Sequence, residues 1–123
     1  MIRLEALADA LAFYNRAYDP DSKAYKARNP GLLRAVSLAH KRDENGNRKF
    51  ASVLDGYQAL LFDLKIKCSG KSAVKLSGEH TLRHLFKVYG HDTLAAKYIT
   101  KFLHKALSED INLDTPLSYF LGA

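Results

Sequence analysis

Apolar side chains in this chain return at alternating steps of three and four residues almost from end to end, a spacing that favours packed helices. Leu4, Leu7, Leu11, Tyr14 and Tyr18 make one stripe over a first helix. Asp19-Pro20-Asp21 closes it, because proline excludes helical backbone from the residue before it. The basic stretch Lys23 to Arg28 has room for one or two turns. Asn29-Pro30 then reads as another helix start, with Asn29 as N-cap and Pro30 at the first helical position. Leu32, Leu33, Val36 and Ala39 would be its buried face, and its end falls near His40 to Asp43. Glu44-Asn45-Gly46-Asn47 is a turn, since Asn and Gly tolerate positive φ.

The strongest core segment runs from Asn47 to near Lys67. Phe50, Val53, Leu54, Tyr57, Leu61 and Leu64 keep the rhythm there, while Leu60 and Phe62 widen the stripe. Gly56 lies inside it at a cost of up to ~1 kcal/mol against Ala. Cys68 to Gly78 is rich in small residues and reads as a loop. Glu79 to Tyr89 forms the next helix, stopped by Gly90. Asp92 caps the last long one, whose inward residues are Leu94, Ala95, Tyr98, Ile99, Phe102 and Leu103, and Thr115-Pro116 begins a final turn. The expectation is an all-α single domain over residues 1–123, a compact bundle of five to six helices.

Other features agree with that class. A length of 123 residues suits one domain with one real core, and seven Gly with three Pro are too few for an all-β chain turning every ten residues. Cys68 is the single cysteine, so no intramolecular disulfide forms. The opening Met1-Ile2-Arg3-Leu4-Glu5 lacks the charged start, apolar middle and cleavage site of a signal peptide. Apolar runs such as Ala59 to Phe62 fall far short of the roughly 20 residues that span a bilayer. These features predict a soluble, cytoplasmic protein with no membrane partner.

Charge narrows the partner. Nineteen Lys and Arg against thirteen Asp and Glu give a formal charge of +6, and the excess is segregated. Residues 23–49 carry eight bases against Asp43 and Glu44, and residues 65–105 carry nine against Glu79 and Asp92. The remaining stretches are all net acidic. Such segregation suits a surface that follows a phosphate backbone. Lys97, Lys101 and Lys105 recur every four residues, hence along one side of the last helix, about 6 Å apart. In Lys23-Ala24-Tyr25-Lys26-Ala27-Arg28 an aromatic sits among three bases, a pairing that serves single strands through charge on phosphate and a ring against a base. Each feature alone also fits a solvated helix face. Together they favour a polyanion.

Several catalytic signatures are approached and missed. Ser69-Gly70-Lys71-Ser72 has the end of a phosphate loop, but Lys65 stands where its first glycine belongs and no strand precedes it. His80 and His84 share a helix face at a two-ligand metal spacing, with no third ligand fixed by the sequence. Cys68 lies among Lys65, Lys67 and Lys71, which would lower its pKa, yet no His–acid partner accompanies it. It reads as a small, partly buried residue. His80-Thr81-Leu82-Arg83-His84, with Gly90-His91 and Tyr98, resembles the motif of tyrosine recombinases. That resemblance would make Arg83 a phosphate clamp, His80 and His91 proton-transfer groups and Tyr98 the nucleophile. The family, however, separates the two parts by most of a helix, whereas five residues lie between His84 and Gly90, and the match fails on that spacing. No enzyme, cofactor or metal is expected.

In size, helical pattern and segregated charge the chain resembles the small helical subunits of Cascade-type (class 1) CRISPR effector complexes. The resemblance is one of overall character and attaches to no motif. It implies a non-catalytic subunit of a ribonucleoprotein, stabilising guide–target duplex or displaced strand beside other subunits or copies of itself. The residues expected on phosphate are Lys23, Lys26, Arg28, Arg34, Lys41, Arg42, Lys71, Lys75, Lys97, Lys101 and Lys105. Two alternatives stand beside this. One is a helix-turn-helix DNA-binding protein built on the two helices around Gly90. Its second helix would open Asp92-Thr93-Leu94-Ala95-Ala96, poor in groups for base edges. The other is a phage-type inhibitor or interaction protein that docks on an acidic or nucleic-acid-binding partner.

Overall fold

The computed structural model describes residues 2–71, 76 and 79–122. Helix α1 (Arg3–Tyr14) is the axis of the fold. Ala6, Leu7, Ala8, Ala10, Leu11 and Ala12 are all buried, so the helix is enclosed rather than striped. Its alanines let neighbouring helices come close on several sides. Helix α2 (Lys23–Ala27), α3 (Val53–Cys68), α4 (Leu82–Val88) and α5 (Thr93–Leu107) follow, then a 3-10 turn at Leu117–Leu121. α1 packs most extensively on α5 and next on α3. Leu60 and Leu64 of α3, Leu82, Leu85 and Phe86 of α4, Ile99 and Leu103 of α5, and Leu117 and Phe120 complete the core. The fold is all-α: no sheet forms among the described residues, only isolated bridges, and no described helix is long and apolar enough to cross a membrane.

The expected α1 runs four residues too far. It ends at Tyr14 because Ala17 N–H bonds to Ala12 O at 3.0 Å and Arg16 N–H to Phe13 O at 3.0 Å, with Arg16 left-handed at φ 58°. This is the Schellman termination, here with arginine where glycine is usual. Ala17 then packs on Ala12 and Ala24 in a small second cluster, while Tyr14 and Tyr18 stand out to solvent.

The helix expected from Asn29 to about Asp43 does not form. Asn29 is fully buried and acts as a hub, not an N-cap. Its Oδ1 accepts from Leu33 N–H at 2.9 Å, and its Nδ2 donates to Leu33 O at 2.9 Å and Arg48 O at 2.8 Å. A side chain that takes backbone groups in this way competes directly with helix formation. The chain instead folds back on itself through bridges Arg34–Asn47 and Arg42–Arg48. Of the expected buried face, Val36 is 86 % exposed and Ala39 is exposed, while only Leu32 and Leu33 are half-buried against the core. The Glu44–Asn47 turn is present, with Gly46 at φ 80° and Asp43 Oδ1 accepting from Asn45 and Asn47 N–H, each at 2.9 Å.

α3 starts at Val53, six residues later than expected, where Ser52 Oγ caps Asp55 N–H at 3.1 Å. Val53 and Leu54 are consequently exposed, and the buried line runs through Gly56, Leu60, Leu64, Lys67 and Cys68. Gly70 at φ 80° ends α3. The remainder of the expected 68–78 loop lies, apart from Lys71 and Leu76, outside the described residues. α4 begins at Leu82 rather than Glu79, and its first free N–H groups are taken by the C-terminal segment: Leu82 N–H bonds to Thr115 O at 3.1 Å and Arg83 N–H to Leu113 O at 3.0 Å. Gly90 at φ 80° closes α4. Asp92 Oδ1 caps Ala95 N–H at 2.8 Å to open α5.

Candidate nucleic-acid interface

α5 fixes the geometry. Ala95, Ala96, Ile99, Thr100 and Leu103 face the core, which turns Lys97, Lys101 and Lys105 outward as an exposed row. Leu94 and Tyr98, expected inside, are 78 % and 52 % exposed, Leu94 in line with the row ahead of Lys97 and Tyr98 beside it. Thr100, although buried, is satisfied by its bond to Ala96 O at 2.7 Å.

On one side of the row lies a cavity of about 510 Å³ shared by Lys97, Lys101, His104 and Arg83 with the 110–114 segment. That segment is held in shape by Thr115 Oγ1, which accepts from Asn112 N–H at 3.0 Å, and by Asn112 Oδ1, which accepts from Asp114 N–H at 2.8 Å. Arg83 is aimed at the cavity by the pairing of its N–H with Leu113 and is bonded to Asp114 at 3.3 Å. Asp110 also lines it. Lys97 and Lys101 have no ion-pair partner among the described residues, so their charge faces the cavity uncompensated by a contact. With Arg83 and Asp114 paired to each other, Lys97 and Lys101 stand against Asp110 alone, which leaves a net cationic site that can bind an oxyanion.

The other expected phosphate contacts divide into two groups. Lys23, Lys26, Lys41 and Lys71 are exposed and lack ion pairs among the described residues. Arg28, Arg34 and Arg42 each have a structural duty that the sequence does not reveal. Arg28 Nη1 donates to Ala51 O at 3.2 Å, Arg34 Nη1 to Asn45 O at 2.7 Å and Arg42 Nη2 to Ser37 O at 2.8 Å. These guanidiniums staple the irregular 31–52 segment. Lys75 lies outside the described residues. Tyr25, between Lys23 and Lys26, is 43 % exposed.

Arg83 and His104 join the site without being expected on phosphate. Arg83 belongs in sequence to the recombinase-like motif, and that motif comes apart in the fold: Arg83 and Tyr98 line different cavities, and His91 packs against Tyr14, Phe86 and Tyr89. His84 reaches back to accept from Thr81 N–H at 3.1 Å, so it serves the start of α4. Cys68 is buried completely, and burial pushes its thiol up to about 12, outweighing the lowering effect of Lys67. Lys67 itself is buried and bonded at 2.6 Å to Asp63, which also accepts from the Tyr89 hydroxyl. It is therefore not part of the exposed charge.

No protein-family model matches this chain, and no curated protein or solved structure matches it.

Proposed function

We propose that this protein is a non-catalytic nucleic-acid-binding protein that holds the phosphate backbone through lysine and arginine, as a small subunit of a larger ribonucleoprotein of the CRISPR-effector kind. The observation that carries the reading is the row of Lys97, Lys101 and Lys105 on α5, exposed and without ion pairs among the described residues, with the first two opening onto the cavity that also holds Arg83. One helical turn separates successive lysines, about 6 Å along the axis, a step short enough for neighbouring phosphates of one strand to be met in sequence. Contacts of this type fix the strand without reading bases. Lys23, Lys26 and Lys41 extend the basic surface elsewhere on the molecule.

The test is charge reversal. Fluorescence anisotropy with a labelled 30-mer, as single-stranded RNA, single-stranded DNA and duplex, is compared for the native chain and for Lys97→Glu with Lys101→Glu. The reading expects the double variant to weaken every nucleic acid it binds, alike for all base sequences. An unchanged affinity, or a native chain that binds none of the three at ~50 mM salt, rejects it and moves the basic surface to an acidic protein partner.

A further inference from the structure

On the other flank of the lysine row, the C-terminal end of α1 and the outer side of α5 enclose a second groove of about 490 Å³, lined by Phe13, Tyr14, Arg16, Tyr18, Asp19 and Tyr98. Four of its six lining residues are aromatic, and all four are more than a third exposed. Single exposed rings are ordinary, but a contiguous exposed cluster of them marks an interaction site. Here they are held outward by identifiable contacts. Phe13 stacks on Phe102 with centroids 5.2 Å apart, and Tyr14 takes the edge of His91 at 5.3 Å. Tyr14 and Tyr98 sit 5.8 Å apart, tilted at 56°, and pack on each other as a pair in which both rings stay more than a third exposed. Early termination of α1 at Arg16 is what turns Tyr18 into the groove's rim. Arg16 is paired with Asp19, which neutralises the one carboxylate present.

We propose that this groove stacks the bases of a single strand whose phosphates lie on the α5 lysines. This deepens the reading given above and rests on it. Charge complementarity decides the occupant: on α5, Tyr98 lies only about 60° around the helix from Lys101, with Lys105 between them in angle. A strand following the lysine row has its phosphates on cations and its bases on the side where the rings stand. Bases of an intact duplex are already stacked on each other and cannot enter. An aromatic platform beside a cationic track is the arrangement that holds single strands without sequence preference. The groove therefore assigns the ligand: unpaired nucleic acid in preference to duplex.

The chain contains seven tyrosines and no tryptophan, and three of the tyrosines line the groove, so the part of the tyrosine quenching that is lost in the Tyr98 variants reports stacking there. Titration with oligo(dT) and oligo(U), and with a duplex of equal length, is compared for the native chain, Tyr98→Phe, Tyr98→Leu and Lys101→Glu. The expected result is tyrosine quenching by single strands, with roughly 5- to 10-fold weaker single-strand binding for Tyr98→Leu and little change for Tyr98→Phe or for duplex. Both Tyr98 variants are checked for native circular dichroism, so that weaker binding by the leucine variant is separated from loss of fold. Equal single-strand affinity for Tyr98→Leu and the native chain, while Lys101→Glu still weakens binding, overturns the stacking site and leaves the backbone reading intact. No binding by the native chain overturns both. Self-association that Tyr98→Leu abolishes, without any quenching by nucleic acid, would assign the groove to a second copy of the chain and also overturns the proposal.

Discussion

The carbonyl oxygen of Arg28 lies so close to Gly56 that a Cβ on Gly56 would stand 2.1 Å from it, with Pro30 Cδ at 2.9 Å. The α2–α3 approach is therefore a backbone-on-backbone contact that only glycine permits. Helix propensity alone assigns Gly56→Ala a gain of up to ~1 kcal/mol. Packing reverses the sign, since a carbonyl has no rotamer by which to move aside. Gly56→Ala is expected to lose about 1–3 kcal/mol in urea denaturation. A stabilised variant would show that the two segments separate at little cost.

Arg28 itself supplies a second prediction. It is left-handed at φ 52°, and it ends α2 through Arg28 N–H to Tyr25 O and Asn29 N–H to Ala24 O. Glycine adopts this conformation without the Cβ penalty. Both Arg28→Gly and Arg28→Ala lose the guanidinium bond to Ala51 O, so their difference isolates the backbone term: the glycine variant should be about 0.5–1 kcal/mol more stable than the alanine variant. Equal melting temperatures for the two variants would contradict the assignment of strain to this position.

These helix ends also mark how far the fold is legible in the sequence. α3 and α4 end at Gly70 and Gly90, whose positive φ is advertised by the residue type. α1 and α2 end by the same hydrogen-bond pattern at Arg16 and Arg28, which carry no such signal. Apolar spacing finds α1, α3, α4 and α5, while α2 is read only as a basic stretch with room for one or two turns, and the spacing overruns α1 for this reason. The 29–43 helix fails for another: its apolar spacing is genuine, but Asn29 spends both ends of its amide on Leu33 and Arg48, and Arg48 is nineteen residues away, beyond what a local pattern encodes.

Asn29→Ala is accordingly predicted to be among the most damaging single substitutions. It strands Leu33 N–H and Arg48 O within the irregular segment, while Leu33 O keeps the Arg48 N–H at 2.8 Å, and should cost about 2–4 kcal/mol. Hydrogen exchange of Leu33 and Arg48 amides should accelerate before that of α5. Uniform loss of protection across the chain, or none, would argue against Asn29 as a local hub.

His91 gives the molecule a pH dependence. It is half-buried among Tyr14, Phe86 and Tyr89, its Nδ1 has no hydrogen-bond partner among the described residues, and burial holds its pKa below the ordinary value of 6.5, with Asp92 opposing the shift. The folded chain thus takes up the proton less readily than the unfolded one. Its contribution is complete above pH ~6.5 and is lost as pH falls through the lowered pKa. The native melting temperature should fall between pH 7.5 and pH 5, and the fall should be smaller in His91→Phe. An identical decline in both proteins would place the titrating group elsewhere.

Of the candidate site, the lysine row is legible because helical spacing fixes which side chains share a side. Arg83 is not, since its position beside that row depends on the pairing of the α4 start with Leu113, thirty residues away in sequence. Spacing alone places Tyr98 inside, but the core side of α5 is taken by Ala95, Ile99 and Leu103, leaving the ring outside.

The salt dependence of single-strand binding tests the central claim most directly. If phosphates sit on Lys97 and Lys101, the logarithm of the affinity should fall linearly with the logarithm of salt concentration. Replacing both lysines by alanine should reduce the slope by about 1.4, which is ~0.7 for each phosphate no longer neutralised. An affinity indifferent to salt, or a slope unchanged in the double variant, would contradict the account.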